Sequence, residues 1–271
     1  MPELPEVETT ARGLRPRIVG RRVVAVGQVD WPRMLPNTSE ADLRLTLVGH
    51  DVVAVDRRGK YLLIGFTDDA WLSVHRKMSG NLLLQDAAAV APLHTHLEVV
   101  FDDSTALRFV DPRKFGRVHL FHSLDERDDF LSERLGPDSL VDFDARVLTE
   151  KLRGRRGRLK SLLLDQAFLA GVGNLYADEA LWLARIHPLR TADTLTPAET
   201  KRLAEAIKQV LEDAIARRGT SFDANYRDAD GEPGENQAFL NAYGRESEPC
   251  PRCGTRITRT VIGGRGTHFC P

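Results

Sequence analysis

The chain reads as an α+β protein of two domains, strand-rich first and helical later, closed by a metal-binding module. Three observations carry this. The first third consists of short apolar runs broken by Gly, Asp and Arg clusters; from about residue 158 the apolar spacing becomes helical; and the only three cysteines, Cys250, Cys253 and Cys270, stand in the final stretch "CPRCGTRITRTVIGGRGTHFCP". With 271 residues and 42% hydrophobic content the chain exceeds what one domain usually needs.

The strand candidates follow in order: "RRVVAVGQVD" from Arg21, "HDVVAVD" from His50, "KYLLIGF" from Lys60, "WLSVH" from Trp71 and "NLLLQ" from Asn81. "HLEVVFDDSTALRFV" reads as two strands around a polar Asp102–Asp103–Ser104 turn. "DERDDFLSERLG" is a short helix closed by Gly136, and "GPDSLVDFD" is a connector. "RLKSLLLDQAFLAG" and "NLYADEALWLARIHP" are helical, the second with Asn174 as N-cap and Pro188 as its stop. "TPAETKRLAEAIKQVLEDAIARRG" is the longest helix, with Thr196 as cap, Pro197 at N1, Glu199 completing a capping box and Gly219 ending it. Residues 219–237 are polar and glycine-containing, a long loop that is either disordered or a lid. The expected organisation is a domain over 1–135, a linker over 136–150, a helical domain over 151–248 and a finger over 249–271.

Composition excludes several classes. There is no apolar run of about 18 residues and no signal-peptide start, so a membrane partner is not expected and the protein should be cytoplasmic. Three cysteines confined to the tail cannot build a disulfide framework and point to metal. A net charge of −1 rules out a uniformly basic coat, so affinity for nucleic acid must come from local patches. Two exist, both without an acid: "KLRGRRGRLK" from Lys151, and the tail with Arg252, Arg256, Arg259 and Arg265.

"MPELPEVET" is the most informative stretch. Pro5 suits a first helical turn, and Glu3, Glu6 and Glu8 complement the helix dipole. The stretch also has a chemical use. A proline after the initiator methionine is a context in which the methionine is normally removed, leaving Pro2 as a secondary amine. A terminal amine, with a reference pKa of about 8 against about 10.4 for lysine, has a free-base fraction roughly a few hundredfold larger at neutral pH. Such an amine can attack an electrophilic carbon and form a Schiff base, with the neighbouring carboxyl of Glu3 moving protons.

"MPELPEVET", "RRGKYL", "HRKMSG", "DPRKFG", "GVGNLYADEALW" and "CPRC…GRGTHFCP" together resemble, in order and over the whole chain, the bacterial formamidopyrimidine-DNA glycosylases. The resemblance implies an N-terminal antiparallel β-sandwich with a leading helix, and a C-terminal helical domain with a helix-two-turn-helix and a β-hairpin zinc finger. It implies base-excision repair of oxidised purines in duplex DNA by a nucleoid-associated monomer. Pro2 would attack C1′ and Glu3 would protonate the sugar, with Glu6, Lys60 and Glu179 beside the reacting centre. β- and δ-eliminations would follow. Met78, Arg113 and Phe115 would fill the gap left by the flipped nucleotide. His75, Lys160, Asn174 and Arg265, like Lys60, would lie along the bound strand, and residues 219–237 would form the lid. Two alternatives remain: an endonuclease VIII-like enzyme for oxidised pyrimidines, against which "PELPE" argues, and a non-catalytic sensor of damaged DNA.

Cys250-x-x-Cys253 and Cys270 have the spacing of one structural zinc site. The family pattern continues as C-P-x-C, which places the fourth ligand at position 273, beyond the sequence given. His268 is the rival, because residues 268 and 270 of a strand face the same way.

Overall fold

The computed structural model describes residues 2–222 and 226–271. They form two compact units, one of Met1–Ser132 with Arg217–Glu235, the other of Glu133–Ala216 with Asn236–Pro271.

The first unit begins with helix α1 (Leu4–Ile18), whose Val7, Ala11, Leu14 and Ile18 recur at helical spacing and are all buried. Strand β1 (Val23–Gly27), helix α2 (Glu40–Leu47) and strands β2 (Val52–Arg58), β3 (Tyr61–Phe66), β4 (Trp71–His75), β5 (Asn81–Asp86), β6 (Thr95–Phe101), β7 (Thr105–Val110) and β8 (Arg117–Phe121) follow, before helix α3 (Leu124–Ser132). The strands make two four-stranded antiparallel sheets, ordered β1-β6-β7-β5 and β2-β3-β4-β8. Side chains of both sheets and of α1 share a single hydrophobic core, as the expected β-sandwich requires.

The repeated "VVAV" is explained by register. β1 and β2 each shift register near their starts, between Val23 and Ala25 and between Val52 and Ala54. A bulge of this kind breaks the period of two, so Val23 and Val26, and likewise Val52 and Val55, point inward although three residues apart. Val24 and Val53 are consequently left half-exposed.

Helices α4 (Ala145–Leu152), α5 (Leu159–Leu164), α6 (Asn174–Ala184) and α7 (Pro197–Ala216) and the hairpin of β9 (Thr258–Ile262) and β10 (Arg265–Phe269) make the second unit. Thr196 and Glu199 form the expected capping box, the Glu199 carboxylate accepting Thr196 N–H at 2.9 Å and the Thr196 hydroxyl accepting Glu199 N–H at 3.2 Å. The cap of α6 is one residue earlier than expected. Gly173 takes the extended N-cap conformation and Asn174 is the first helical residue, which frees its side chain for another partner. α4 was expected as connector, yet Asp144 caps it by accepting Val147 N–H at 2.8 Å. α2 and β8 are additions to the expected elements; Ser39 caps α2 by accepting Asp42 N–H at 3.1 Å, and β8 is only five residues long. No helix among the described residues is long and apolar enough to cross a membrane.

Gly65 shows how closely a sheet face is packed. It pairs with Trp71, and a Cβ there would stand 2.8–3.0 Å from three atoms of the indole. Gly65→Ala should therefore cost about 1–3 kcal/mol, measured by denaturant unfolding.

Candidate active site and nucleic-acid interface

Pro2 is buried and leads straight into the N-cap of α1. Glu3, the N-cap, and Glu6 form a capping box in which Glu3 N–H donates to Glu6 Oε2 at 2.7 Å. The other oxygen of Glu6 accepts Thr220 N–H at 2.8 Å, and its carbonyl accepts the Thr10 hydroxyl at 2.9 Å and the Tyr226 hydroxyl at 3.3 Å. Glu3 and Glu6 are both nearly inaccessible to water. The first turn of α1 is therefore held from several sides. Arg57 donates to Glu8 of α1 at 2.9 Å and to Gly59 O at 3.0 Å, joining that helix to the β2–β3 turn where Lys60 is buried.

Of the expected lid, residues 219–222 and 226–237 are described, and Thr220 and Tyr226 bond Glu6; Asp223, Ala224 and Asn225 lie outside the described residues. Gly219 has φ +82°, and a Cβ on it would meet Glu6 Cγ at 3.0 Å, so glycine is required twice over.

His75 accepts Lys77 N–H on Nδ1 at 3.1 Å, which leaves the hydrogen on Nε2. Burial, helped by the ammonium groups of Lys77 and Lys60, pushes its pKa down to about 3. The ring is thus a neutral donor throughout the physiological range. Met78 stands exposed on the turn after β4, and Arg113 and Phe115 stand exposed on the turn after β7, with the guanidinium 4.9 Å from the phenyl centroid. One side chain joins these turns. Asp111, fully buried, accepts the Ser79 hydroxyl at 2.5 Å on Oδ1, and Phe115 N–H at 2.9 Å and Gly116 N–H at 2.8 Å on Oδ2. The sequence signal for this role was an Asp opening a polar turn, where its carboxylate can collect backbone donors.

In the second unit, Lys160 is wholly buried in an ion pair with Asp178. Asp178 Oδ2 in turn accepts His268 N–H at 2.9 Å, and Asn174 Nδ2 donates to Gly266 O at 2.9 Å. α5 and α6 thereby hold the β9–β10 hairpin, at whose turn Arg265 is exposed. Glu179 is occupied differently: its carboxylate accepts the N–H groups of Asn241, Ala242 and Tyr243 at 2.8–3.1 Å.

The three cysteine sulfurs lie within 4.8 Å of one another, those of Cys253 and Cys270 being 3.5 Å apart. Tetrahedral thiolates around zinc at about 2.3 Å would stand about 3.8 Å apart, so the residues fit one structural zinc. Trp182 Nε1–H donates to Cys250 Sγ at 3.3 Å, the kind of outer bond that orients a ligand. Among the described residues no His, Asp or Glu joins the three sulfurs. The rival ligand His268 faces Asp178, its Nδ1 being 3.6 Å from Oδ2, and packs edge-on against Tyr243. Cys270 lies one residue past the end of β10, so the alternation that would have aligned the two does not reach it.

A sandwich with a braced chain start, a helical unit and a zinc hairpin define the architecture of a helix-two-turn-helix DNA glycosylase. Residues 1–118 match the formamidopyrimidine-DNA glycosylase N-terminal domain, 135–225 its H2TH domain and 247–271 the zinc finger found in these enzymes and in IleRS. The chain belongs to the formamidopyrimidine-DNA glycosylase family and is an enzyme, a DNA glycosylase acting on damaged DNA. It is 48% identical to the formamidopyrimidine-DNA glycosylase of Herpetosiphon aurantiacus, covering 100% of this chain and 98% of that one. The Lactococcus lactis enzyme in complex with abasic-site DNA superposes with a TM-score of 0.91 at 39% identity, covering 100% and 98% of the two chains. A MutM structure with carbocyclic 8-oxo-G DNA gives 0.90 and 39%, with the same coverage.

Cys250→Ser should release zinc and speed amide exchange in β9 and β10, whereas His268→Ala should retain the metal; zinc analysis with hydrogen exchange checks both.

Proposed function

We propose that the protein is a bifunctional glycosylase and AP lyase that removes 8-oxoguanine and formamidopyrimidines from duplex DNA. The observation that carries this reading is the buried platform of Pro2, Glu3 and Glu6, which sets the Pro2 nitrogen, a secondary amine once Met1 is removed, next to a capped carboxyl-bearing residue. Once Met1 is removed, the Pro2 nitrogen attacks C1′, the bond to the base breaks, and the base leaves with a proton. Glu3 protonates the sugar ring oxygen as the ring opens, giving an iminium between Pro2 and C1′. That iminium acidifies C2′, so loss of a proton expels the 3′ phosphate, and a second elimination expels the 5′ phosphate. Glu6 keeps Glu3 in place, and Lys60, near His75 and the β2–β3 turn, meets the adjoining backbone.

Met78, Arg113 and Phe115 supply a flexible thioether, a hydrogen-bonding fork and a flat apolar face for the vacated space. His75 meets phosphate as a neutral donor, while Asn174 and Arg265 do so at the start of α6 and at the hairpin turn. Lys160, being buried, serves DNA binding through the hairpin that its partner Asp178 holds.

Borohydride should trap a covalent adduct on an 8-oxoguanine duplex, and protein retaining Met1, whose Pro2 nitrogen is an amide, should bind without trapping. Turnover by Met1-bearing protein, verified by intact mass, would remove Pro2 from the mechanism; faster cleavage of thymine glycol than of 8-oxoguanine would reassign the substrate. Arg265→Ala should flatten the salt dependence of affinity by about one phosphate contact, read from binding between about 50 and 200 mM salt.

A further inference from the structure

Arg76 lies between two residues already given roles, yet its own side chain faces the opposite way, into the protein, and is 1% exposed. All five of its N–H groups are engaged. Nε donates to Gly80 O at 2.7 Å. Nη1 donates to Thr10 Oγ1 at 2.8 Å and Glu6 O at 3.4 Å, and Nη2 to Asn81 Oδ1 at 2.5 Å and Arg227 O at 3.0 Å. Every one of these acceptors is a neutral oxygen. The guanidinium also lies 4.9 Å from the centre of the Tyr226 ring. Burial lowers its pKa, opposed by Tyr226, Glu6 and Asp228.

A buried cation without a carboxylate in contact is costly, and an apolar side chain of similar volume would serve packing better. What the guanidinium adds is direction. Its planar fork joins three segments: the turn that carries Met78, the first turns of α1, which follow Pro2 and Glu3, and the irregular stretch from Tyr226 to Asp228. The turn is gripped at both ends, since Gly80 N–H returns a bond to Arg76 O at 3.0 Å and Ser79 bonds Asp111 beneath Phe115. Displacing that turn drags on Glu6 O, and Glu6 in turn holds Glu3 N–H, next to the proposed nucleophile.

We propose that Arg76 is a positioning residue for the glycosylase reaction, coupling occupation of the duplex void by Met78 to placement of the Pro2 amine. The proposal rests on the roles given above to Pro2 and Met78. It separates two substrates. An 8-oxoguanine duplex needs the void filled and the amine placed, whereas a single-stranded abasic oligonucleotide offers no stack to fill and needs the amine alone.

The test uses the full-length protein with Met1 removed. Arg76→Met should slow single-turnover excision from the 8-oxoguanine duplex by about tenfold or more, while borohydride trapping on the single-stranded abasic oligonucleotide stays within about twofold of wild type. Arg76→Lys, which keeps the charge and loses the fork, should leave most of the duplex defect in place. Thr10→Val, which removes one acceptor, should give a smaller loss of about threefold on the duplex alone and decides the matter if Arg76→Met does not fold. A duplex rate within about twofold of wild type in Arg76→Met, equal losses on the two substrates, or an unaltered duplex rate in Thr10→Val where that variant decides, would overturn the proposal. If wild-type protein itself forms no adduct with the single-stranded oligonucleotide, what fails is the assignment of Pro2, not that of Arg76.

Discussion

The start of a chain is where order is hardest to keep, because a terminal residue has one covalent neighbour and ordinarily frays. The first unit solves this at Glu6. One carboxylate oxygen caps the helix through Glu3 N–H, the other takes Thr220 N–H from a segment more than two hundred positions later, and the carbonyl is shared by Thr10, Tyr226 and Arg76. The bonds to the neutral carbonyl are each worth about 0.5–1.5 kcal/mol net and those to the carboxylate about 1.5–3 kcal/mol. Their value is geometric, since together they tie the first turn of α1 to three other segments of the unit. This is also why residues 217–235 belong to the first unit although the chain enters and leaves them through the second.

The zinc hairpin poses the same problem at the other end of the sequence. A two-stranded hairpin does not sustain itself in water. Its metal ligands hold one end, and the body of the helical unit holds the rest through Asp178 to His268 N–H, Asn174 to Gly266 O and Trp182 to Cys250. Asp178 is fully buried, and Lys160 neutralises it there; removing either partner would leave an uncompensated charge. Arg265 therefore stands on a turn whose strands are anchored through buried polar bonds as well as through metal.

Much of the architecture was legible in the sequence where a pattern follows from local chemistry. "TPAE" announces its capping box because both partners lie within one turn, and "WLSVH" and "NLLLQ" mark strands because β-rich apolar runs end at polar breaks. Three cysteines at zinc-finger spacing announced their cluster. What was not legible depends on distant partners. Asn174 looked like a cap, but a glycine does that work and the asparagine reaches across 92 positions to Gly266. Lys160 read as one cation of a basic patch along the bound strand, and Arg76 carried no reading at all, because nothing local says that Asp178, or the carbonyls of Glu6 and Arg227, will close over them. "VVAV" hid its bulges for the related reason that register is a property of two strands.

A net charge of −1 makes the division of labour between the units physically sensible. Long-range attraction to phosphate is non-specific and screened by salt, so it can rest on a few exposed cations such as Arg153, Arg155, Arg156 and Arg265 on the helical unit. Recognition of a disrupted base pair needs shape instead, and shape needs rigid support. The exposed Met78 and Phe115 project from turns whose interior side is fixed by Arg76, Ser79 and Asp111. These turns hold few apolar residues of their own, and buried polar bonds take the place of apolar packing beneath them. Buried polarity thus substitutes for a local hydrophobic core beneath the two turns, and it lets flexible and apolar side chains be presented to solvent in defined positions before any DNA arrives.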